Sequence, residues 1–218
     1  MPESRAFALF PTALGTCAIA WSSIGITGVW LPEANAESLR RKAARHSGGG
    51  REEAPSGAVA AAVDAIVRLL AGEPVDLRGV ALDSAGIAEF DRRVYAVTRE
   101  IEAGRVLTYG EVAAHVGADA TARAVGESLG RNAMPIVVPC HRVVATGGLG
   151  GFSAPGGART KRRLLAIENA RPEGPPGLFD APAADRDETD ADQVASRGPI
   201  AGAPEFSAGA LIEPSGRS

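Results

Sequence analysis

Cysteine and histidine are both scarce in this chain. Two cysteines, Cys17 and Cys140, and three histidines, at 46, 115 and 141, are spread over 218 residues. Such counts exclude a disulfide framework and a cysteine-only zinc site, and the histidines have no ligand spacing, so no metal is expected. They point to a reducing compartment. Uninterrupted apolar helix is lacking too. Residues 6–32 carry no charge, and Arg5 before them with Ala18-Ile19-Ala20 imitates a secretory leader, but Pro11 and Gly15 interrupt any apolar helix there. Pro11, Gly15, Gly25 and Gly28 also leave pieces too short to span a bilayer, so no membrane partner is expected.

A large excess of one charge is the third absence. Of 23 basic and 26 acidic residues, four and nine lie beyond residue 170, so residues 1–170 carry 19 and 17 and are slightly cationic. The net charge of -3 therefore reflects the last segment. That segment, residues 171–218, is rich in Pro, Ala, Gly and Asp with few large apolar side chains, and is expected to be a disordered acidic tail. What remains is long enough for one large domain or two small ones, with the composition of an ordinary globular protein.

Short apolar runs separated by turn residues open the chain. Ala6 to Phe10, Thr16 to Trp21 and Gly28 to Leu31 read as strands of a small meander. Asn35 to His46 and Gly57 to Leu70 read as covering helices, the second with Val59, Val63, Ile66, Val67 and Leu70 at helical spacing. SGGGREEAPSG between them reads as a surface loop. Residues 1–82 are thus expected to be an α/β domain, a small antiparallel sheet plus helices. A second unit, residues 83–170, is expected to be mainly helical. Ile87 to Ala103 places Phe90, Val94, Val97 and Ile101 on one face and ends at Gly104. Thr108 and Glu111, three apart, form a capping box for a short helix that Gly117 stops.

A further helix runs from about Ala120 to Leu129, giving the helix, tight turn, helix layout of a helix-turn-helix. Its sequence, ATARAVGESLGRN, sets Arg123 between Ala122 and Ala124 with Gly126 a turn on. That face has almost no bulk except one long cation. It suits close approach to a groove, and it equally suits two helices packed through small residues with Arg123 in solvent. Similarly, IVVPCHRVV places Cys140 and His141 in an apolar run, where a lone cysteine is ordinarily a buried strand residue.

Several matches in order change the balance. PCHRVV, with Asn132 eight residues before the cysteine, RAVG before that and TYGEVA earlier still, resembles the O6-alkylguanine-DNA alkyltransferase family, well over about Phe90 to Glu168 and more loosely before. The resemblance implies direct-reversal DNA repair without a cofactor, on a winged-helix or helix-turn-helix-like catalytic domain. An alkylated guanine is flipped from double-stranded DNA and its alkyl group moves to the protein. It implies that Cys140 is the acceptor, His141 its base through a water, and Glu168 the acid orienting that histidine. Arg123 resembles the finger that fills the vacated stack, in a DNA-contacting face with Ala122, Ala124 and Gly126. Tyr109 corresponds to the tyrosine that crowds the target phosphate and helps protonate the departing base. Asn132 matches the hinge asparagine, and Pro135, Gly151, Phe152 and Ser153 fall where the family has its substrate pocket.

The chemistry asks for the same groups. An alkyl ether carbon is a poor electrophile, so a thiolate is the nucleophile of choice. A free thiol titrates near ~8.5, so a neighbouring proton acceptor is needed at neutral pH. A thioether is not hydrolysed, so one transfer per chain is expected.

Departures from the family pattern are Asp91 after Phe90, Ala133 after Asn132, Glu127 and Ser128 in place of smaller neutral residues, and a longer SAPGGARTK segment after Phe152. Two other classes stay open: a non-catalytic lesion binder on the same fold, which would lack the acceptor cysteine, and a cysteine hydrolase, disfavoured because neighbours on an extended strand face opposite ways. The expected protein is a monomer in the cytoplasm, associated with the nucleoid if bacterial.

Overall fold

Alternation along the first strands decides how both faces of the sheet are covered. The computed structural model describes residues 5–170; the expected tail lies outside them. Strands β1 (Ala6–Thr12), β2 (Gly15–Trp21) and β3 (Ile26–Trp30) form the meander, and β4 (Arg51–Glu52) joins parallel to β1, giving the order β3-β2-β1-β4. In β2, four consecutive residues are fully buried, but on opposite sides. Ala18 and Ala20 meet Leu39 and Ala43 of α1 (Ala36–His46), while Cys17 and Ile19 join Ile66, Leu69 and Leu70 of α2 (Gly57–Leu70). Asn35 caps α1 by accepting from the Ser38 amide at 2.8 Å.

The strands are longer than their apolar runs. Pro11 lies within β1 opposite Thr16, at a place where β1 has no neighbour on its other side, so its missing N–H breaks no ladder there. The loop expected between α1 and α2 contains β4. Both its residues are exposed and join the sheet through their backbone, opposite Ala6 and Phe7, so no alternating apolar pattern announced it.

Residues 83–170 are mainly helical: α3 (Glu89–Arg99), β5 (Leu107–Thr108), α4 (Tyr109–Val116), α5 (Ala122–Gly130), β6 (Val143–Val144) and α6 (Ala158–Ile167). The capping box is present: Thr108 Oγ1 accepts from the Glu111 amide at 3.2 Å, and Glu111 Oε2 accepts from the Thr108 amide at 2.6 Å. Helix α3 stops at Arg99 instead of Ala103. Ile101 is buried from the turn that follows, which is why the apolar period outlasts the helix. The segment around Cys140 also departs from its strand reading. Pro139 has no N–H to give a ladder, and Cys140–Arg142 forms one 3₁₀ turn before β6.

One apolar cluster unites these elements. It runs from Ala8, Cys17 and Ile19 through Ile66 and Leu69 to Val94, Val125, Met134, Cys140 and Leu164. Polar ties follow it: the Val29 amide of β3 donates to Ala133 O at 2.9 Å, and Ser22 Oγ donates to the buried Asp83 carboxylate at 2.8 Å. Among the described residues no helix is long and apolar enough to cross a membrane. Ile66, fully buried at the centre of the cluster, gives a direct test of this continuity. Ile66→Ala is expected to lower stability by ~2–5 kcal/mol while urea unfolding stays a single transition. A separate early transition for the sheet would contradict a shared core.

Candidate active site

Asn132 is the first residue that shapes the thiol's surroundings. It follows the C-cap of α5, and its side-chain Nδ2 donates to Val138 O at 2.9 Å and to Cys140 Sγ at 3.3 Å, while its Oδ1 accepts from the Met134 amide at 2.9 Å. The turn it encloses is tight. Val138 N donates to Met134 O at 2.8 Å, and Ile136 within that turn has φ 75°, a left-handed conformation that costs a β-branched residue steric strain. The turn delivers the thiol to the back of α5.

His141 points into the protein. Its side chain is fully buried, and Nε2 lies 3.0 Å from Glu168 Oε1. Arg142 holds the same carboxylate with two hydrogen bonds, Nη2 to Oε1 at 2.8 Å and Nε to Oε2 at 2.9 Å. Its remaining Nη1 donates to Ile101 O. Burial alone would raise the Glu168 carboxyl, but the bonds from His141 and Arg142 outweigh it and hold the pKa at about 2. Burial lowers the pKa of His141 despite that carboxylate. The three groups balance as one anion, one guanidinium and a neutral imidazole. An ionised carboxylate only accepts, so the imidazole carries its proton on Nε2. Nδ1 is then an acceptor, and it has no partner among the described residues.

The thiol rests protonated. Burial pushes the Cys140 pKa up, against smaller downward pulls from Asn132 and Lys161. Lys161 itself is fully buried on α6, its Nζ donating to Val143 O at 2.6 Å and Gly151 O at 3.2 Å, with no carboxylate partner among the described residues. Desolvation brings its pKa down to about 8. It lies 5.7 Å from the centroid of the Tyr109 ring, whose hydroxyl donates to the same Gly151 O at 3.3 Å. Sequence reasoning gave no role to Lys161 or Arg142. For Lys161 a signal existed, since it stands one turn before Leu164 and Leu165 on the buried stripe of α6.

Two cavities meet at Cys140, sharing Gly130, Phe152 and Ser153. One, about 210 Å³, adds Tyr109, Gly126, Leu129 and Gly151. The other, also about 210 Å³, adds Asn132, Pro135 and residues of β3. Of the expected site residues, Tyr109, Gly126, Asn132, Pro135, Cys140, Gly151, Phe152 and Ser153 line one or other of these cavities; His141 and Glu168 are buried and line neither, and Ala122, Arg123 and Ala124 lie on α5 outside both. There Ala122 and Arg123 are exposed, Arg123 89% so, and its Nε donates to Glu127 Oε1 at 2.9 Å. Ala124 is half-buried, and the Tyr109 ring lies beside Gly126 of α5. Two of the departures seen in sequence form ion pairs, Glu127 with Arg123 and Asp91 with Arg131. Asp91 binds Arg131 through both carboxylate oxygens, at 2.7 and 3.2 Å, and so fastens α3 to the residue before Asn132.

A buried thiol beside a charge-balanced imidazole, behind a helix-turn-helix, defines a cysteine-centred protein with a nucleic-acid type of helix pair. Comparison with known proteins narrows this. A family model described as 6-O-methylguanine DNA methyltransferase, DNA binding domain, matches residues 89–170. A methylated-DNA--protein-cysteine methyltransferase of Methanothermobacter thermautotrophicus is 35% identical over 157 residues, spanning 72% of this chain and 81% of that protein. The crystal structure of Mycobacterium tuberculosis O6-methylguanine methyltransferase is similar with a TM-score of 0.61 and 31% identity, covering 78% of this chain and 96% of the other. A structure of the OGT protein of that organism in complex with DNA gives 0.60 and 30%, covering 75% and 92%. The chain belongs to the methylated-DNA--protein-cysteine methyltransferase family.

The triad makes stability pH-dependent with a definite sign. The Glu168 pKa is depressed from 4.5 to about 2, so its contribution, on the order of 3 kcal/mol, is complete above about pH 5 and is lost as the pH falls toward 2. The lowered pKa of His141 adds a loss that begins as the pH falls below 6.5, where the unfolded chain binds a proton and the folded one does not. Urea midpoints are expected to fall steadily between about pH 7 and 3. Glu168→Gln should lose ~3–5 kcal/mol at neutral pH by leaving Arg142 unpaired, and should flatten the acid limb. A midpoint unchanged from about pH 7 to 4 in the wild type would contradict the charge assignment.

Proposed function

We propose that this chain repairs alkylated DNA by direct reversal, moving the alkyl group from O6 of guanine to Cys140 Sγ once per molecule. The observation that carries the reading is the neutral, buried His141, its Nε2 committed to Glu168 and its Nδ1 left as an acceptor next to the residue that bears the thiol. A water bridging Nδ1 and Sγ carries the proton, since a buried acceptor without a protein partner favours such a bridge. As the proton leaves, the Sγ lone pair attacks the alkyl carbon, the carbon–O6 bond breaks, and guanine departs with that electron pair. The departing base takes up a proton, a task for the Tyr109 hydroxyl. The product is a thioether, which water does not cleave, so no turnover follows.

The cavity bounded by Tyr109, Gly126, Gly151 and Ser153 is the guanine site, and α5 is the helix that meets the duplex. Small residues Ala122, Ala124 and Gly126 let the backbone approach the minor groove, and Arg123 fills the space the flipped base leaves. An alkylated, poorly paired base is the cheaper one to extrude, which supplies part of the selectivity. Arg123 must first part from Glu127, an exposed pair worth only ~0.3–0.5 kcal/mol. With the described body nearly neutral, binding should be modest and shallow in salt. The protein works as a monomer where the DNA is, in the cytoplasm and on the nucleoid if the cell is bacterial. Cys140 itself speaks against a lesion binder without chemistry.

Intact mass after incubation with excess duplex containing one O6-methylguanine tests the reading. The wild type should gain one methyl, mapped to Cys140 and saturating at one per chain, while Cys140→Ala binds the lesion and gains nothing. Binding by both proteins without any mass gain would overturn the transfer and leave a damage binder.

A further inference from the structure

Most cations of the described chain are neutralised where they stand, and α6 is the exception. From Arg51 to Arg142, each arginine except Arg99 and Arg105 is paired with a carboxylate. Helix α6 begins Ala-Arg-Thr-Lys-Arg-Arg, and none of Arg159, Lys161, Arg162 and Arg163 forms an ion pair among the described residues. Their side-chain hydrogen bonds run only to carbonyls, from Lys161 inward and from Arg163 Nη2 to Ala13 O at 3.0 Å. We propose that the exposed face of α6 is a second DNA surface, which holds backbone phosphates of the duplex flanking the lesion while α5 lies in the groove. The inference rests on the direct-reversal reading and adds a binding surface to it.

Three features support it. First, Arg159, Arg162 and Arg163 share one face, since helix positions three and four apart are neighbours. All three are exposed, while Lys161, Leu164 and Leu165 are buried on the other side. Second, the arrangement is unfavourable to the protein alone. Like charges at those spacings repel, and cations in the first turns oppose the positive end of the helix dipole, which here meets no acidic residue and no side-chain cap. A local rule broken at the surface, with no compensating partner in the fold, is expected where a protein meets something else. Third, the face stands close to the lesion site. Ser153 lines both cavities at Cys140, and the loop that follows it leads directly into α6. Two hydrogen bonds fold the start of the helix back on that loop, from the Gly157 amide to Ala154 O at 3.0 Å and from Thr160 Oγ1 to Pro155 O at 2.6 Å.

Duplex DNA is the partner whose chemistry fits. A guanidinium takes two phosphate oxygens side by side, and a duplex offers one phosphate charge per ~1.7 Å of its axis against an arginine row ~6 Å long. No acid stands within α6 to repel it. The near-neutral total for residues 1–170 conceals this row, because most other cations are held by neighbouring acids. Helix α6 should therefore supply most of the salt dependence of binding. The three arginines line neither cavity at Cys140, so the surface acts on binding and not on the transfer step.

The test uses the full-length protein and two triple variants, Arg159→Gln with Arg162→Gln and Arg163→Gln, and the same three positions changed to Lys. Binding of an unmodified duplex is read by fluorescence anisotropy over a salt series, and transfer from an O6-methylguanine duplex by intact mass. The glutamine variant should bind at least about tenfold more weakly at low salt, with a slope of log affinity against log salt shallower by about 2 to 3, since each phosphate contact contributes about 0.9. Its loss in transfer should fall on the duplex concentration needed for half-saturation, leaving the rate at saturation within about twofold of wild type. The lysine variant keeps the charge and should restore both affinity and slope. Affinity and slope unchanged in the glutamine variant would overturn the surface alone, and so would a lysine variant that binds as weakly as the glutamine one. A rate at saturation that collapses in both variants would also overturn it, by assigning the arginines to the fold. Absence of methyl transfer in the wild type would instead sink the reading beneath it.

Discussion

A single carboxylate, that of Glu168 at the end of α6, determines what the rest of the site can do. It takes two bonds from Arg142 and one from His141, and all three residues are nearly or fully excluded from water. Buried charge is tolerated only when paired and hydrogen-bonded. Arg142 supplies the countercharge, which frees the imidazole from having to be a cation. A histidine that need not be charged can receive a proton. Without Arg142, an ionised Glu168 would draw a proton onto His141 and spend its basicity in the resting protein.

The surroundings of the thiol follow from the same economy. Cys140 is buried enough to stay protonated at rest, and its pKa is pushed up, which shields it from adventitious oxidation or alkylation. Lys161, fully buried with only carbonyl partners among the described residues, places positive potential near Cys140 and so favours negative charge on its sulfur. Its Nζ and the Tyr109 hydroxyl converge on Gly151 O, so the cation, the phenol and the rim of the cavity that Tyr109 and Gly151 share with Cys140 are positioned together. The strained φ of Ile136 is borne by a turn that Asn132 pins at three points. The sheet contributes a rigid wall through β3, so the two halves of the described chain meet at the sulfur.

Much of this was legible in sequence, and what was not has a physical reason. The meander, α2 and the capping box of α4 follow from local periodicity and turn chemistry, which act over a few residues. The misreadings cluster where tertiary contact overrides local pattern. Strand β4 is two exposed residues held by backbone pairing, and α3 ends while its apolar period continues into Ile101. Cys140 and His141 read as strand neighbours, but Pro139 turns them into a 3₁₀ turn that buries the imidazole against α6. That Glu168 would meet His141 came from resemblance, since no spacing rule links positions 27 apart. The role of Arg142 was invisible because a cation in sequence reads as surface until its carbonyl or carboxylate partners are seen, and for Lys161 only its place on the buried stripe of α6 pointed the other way.

Transfer to Cys140 by this route requires His141 to be neutral, with its proton on Nε2. Nitrogen-15 NMR of the imidazole at pH 7 reads it directly in the free protein. A protonated Nε2 coupled to a ring proton, with Nδ1 at the shift of an unprotonated nitrogen, is the predicted result. An imidazolium, or a proton on Nδ1, would contradict it, because neither form can take the proton of Cys140.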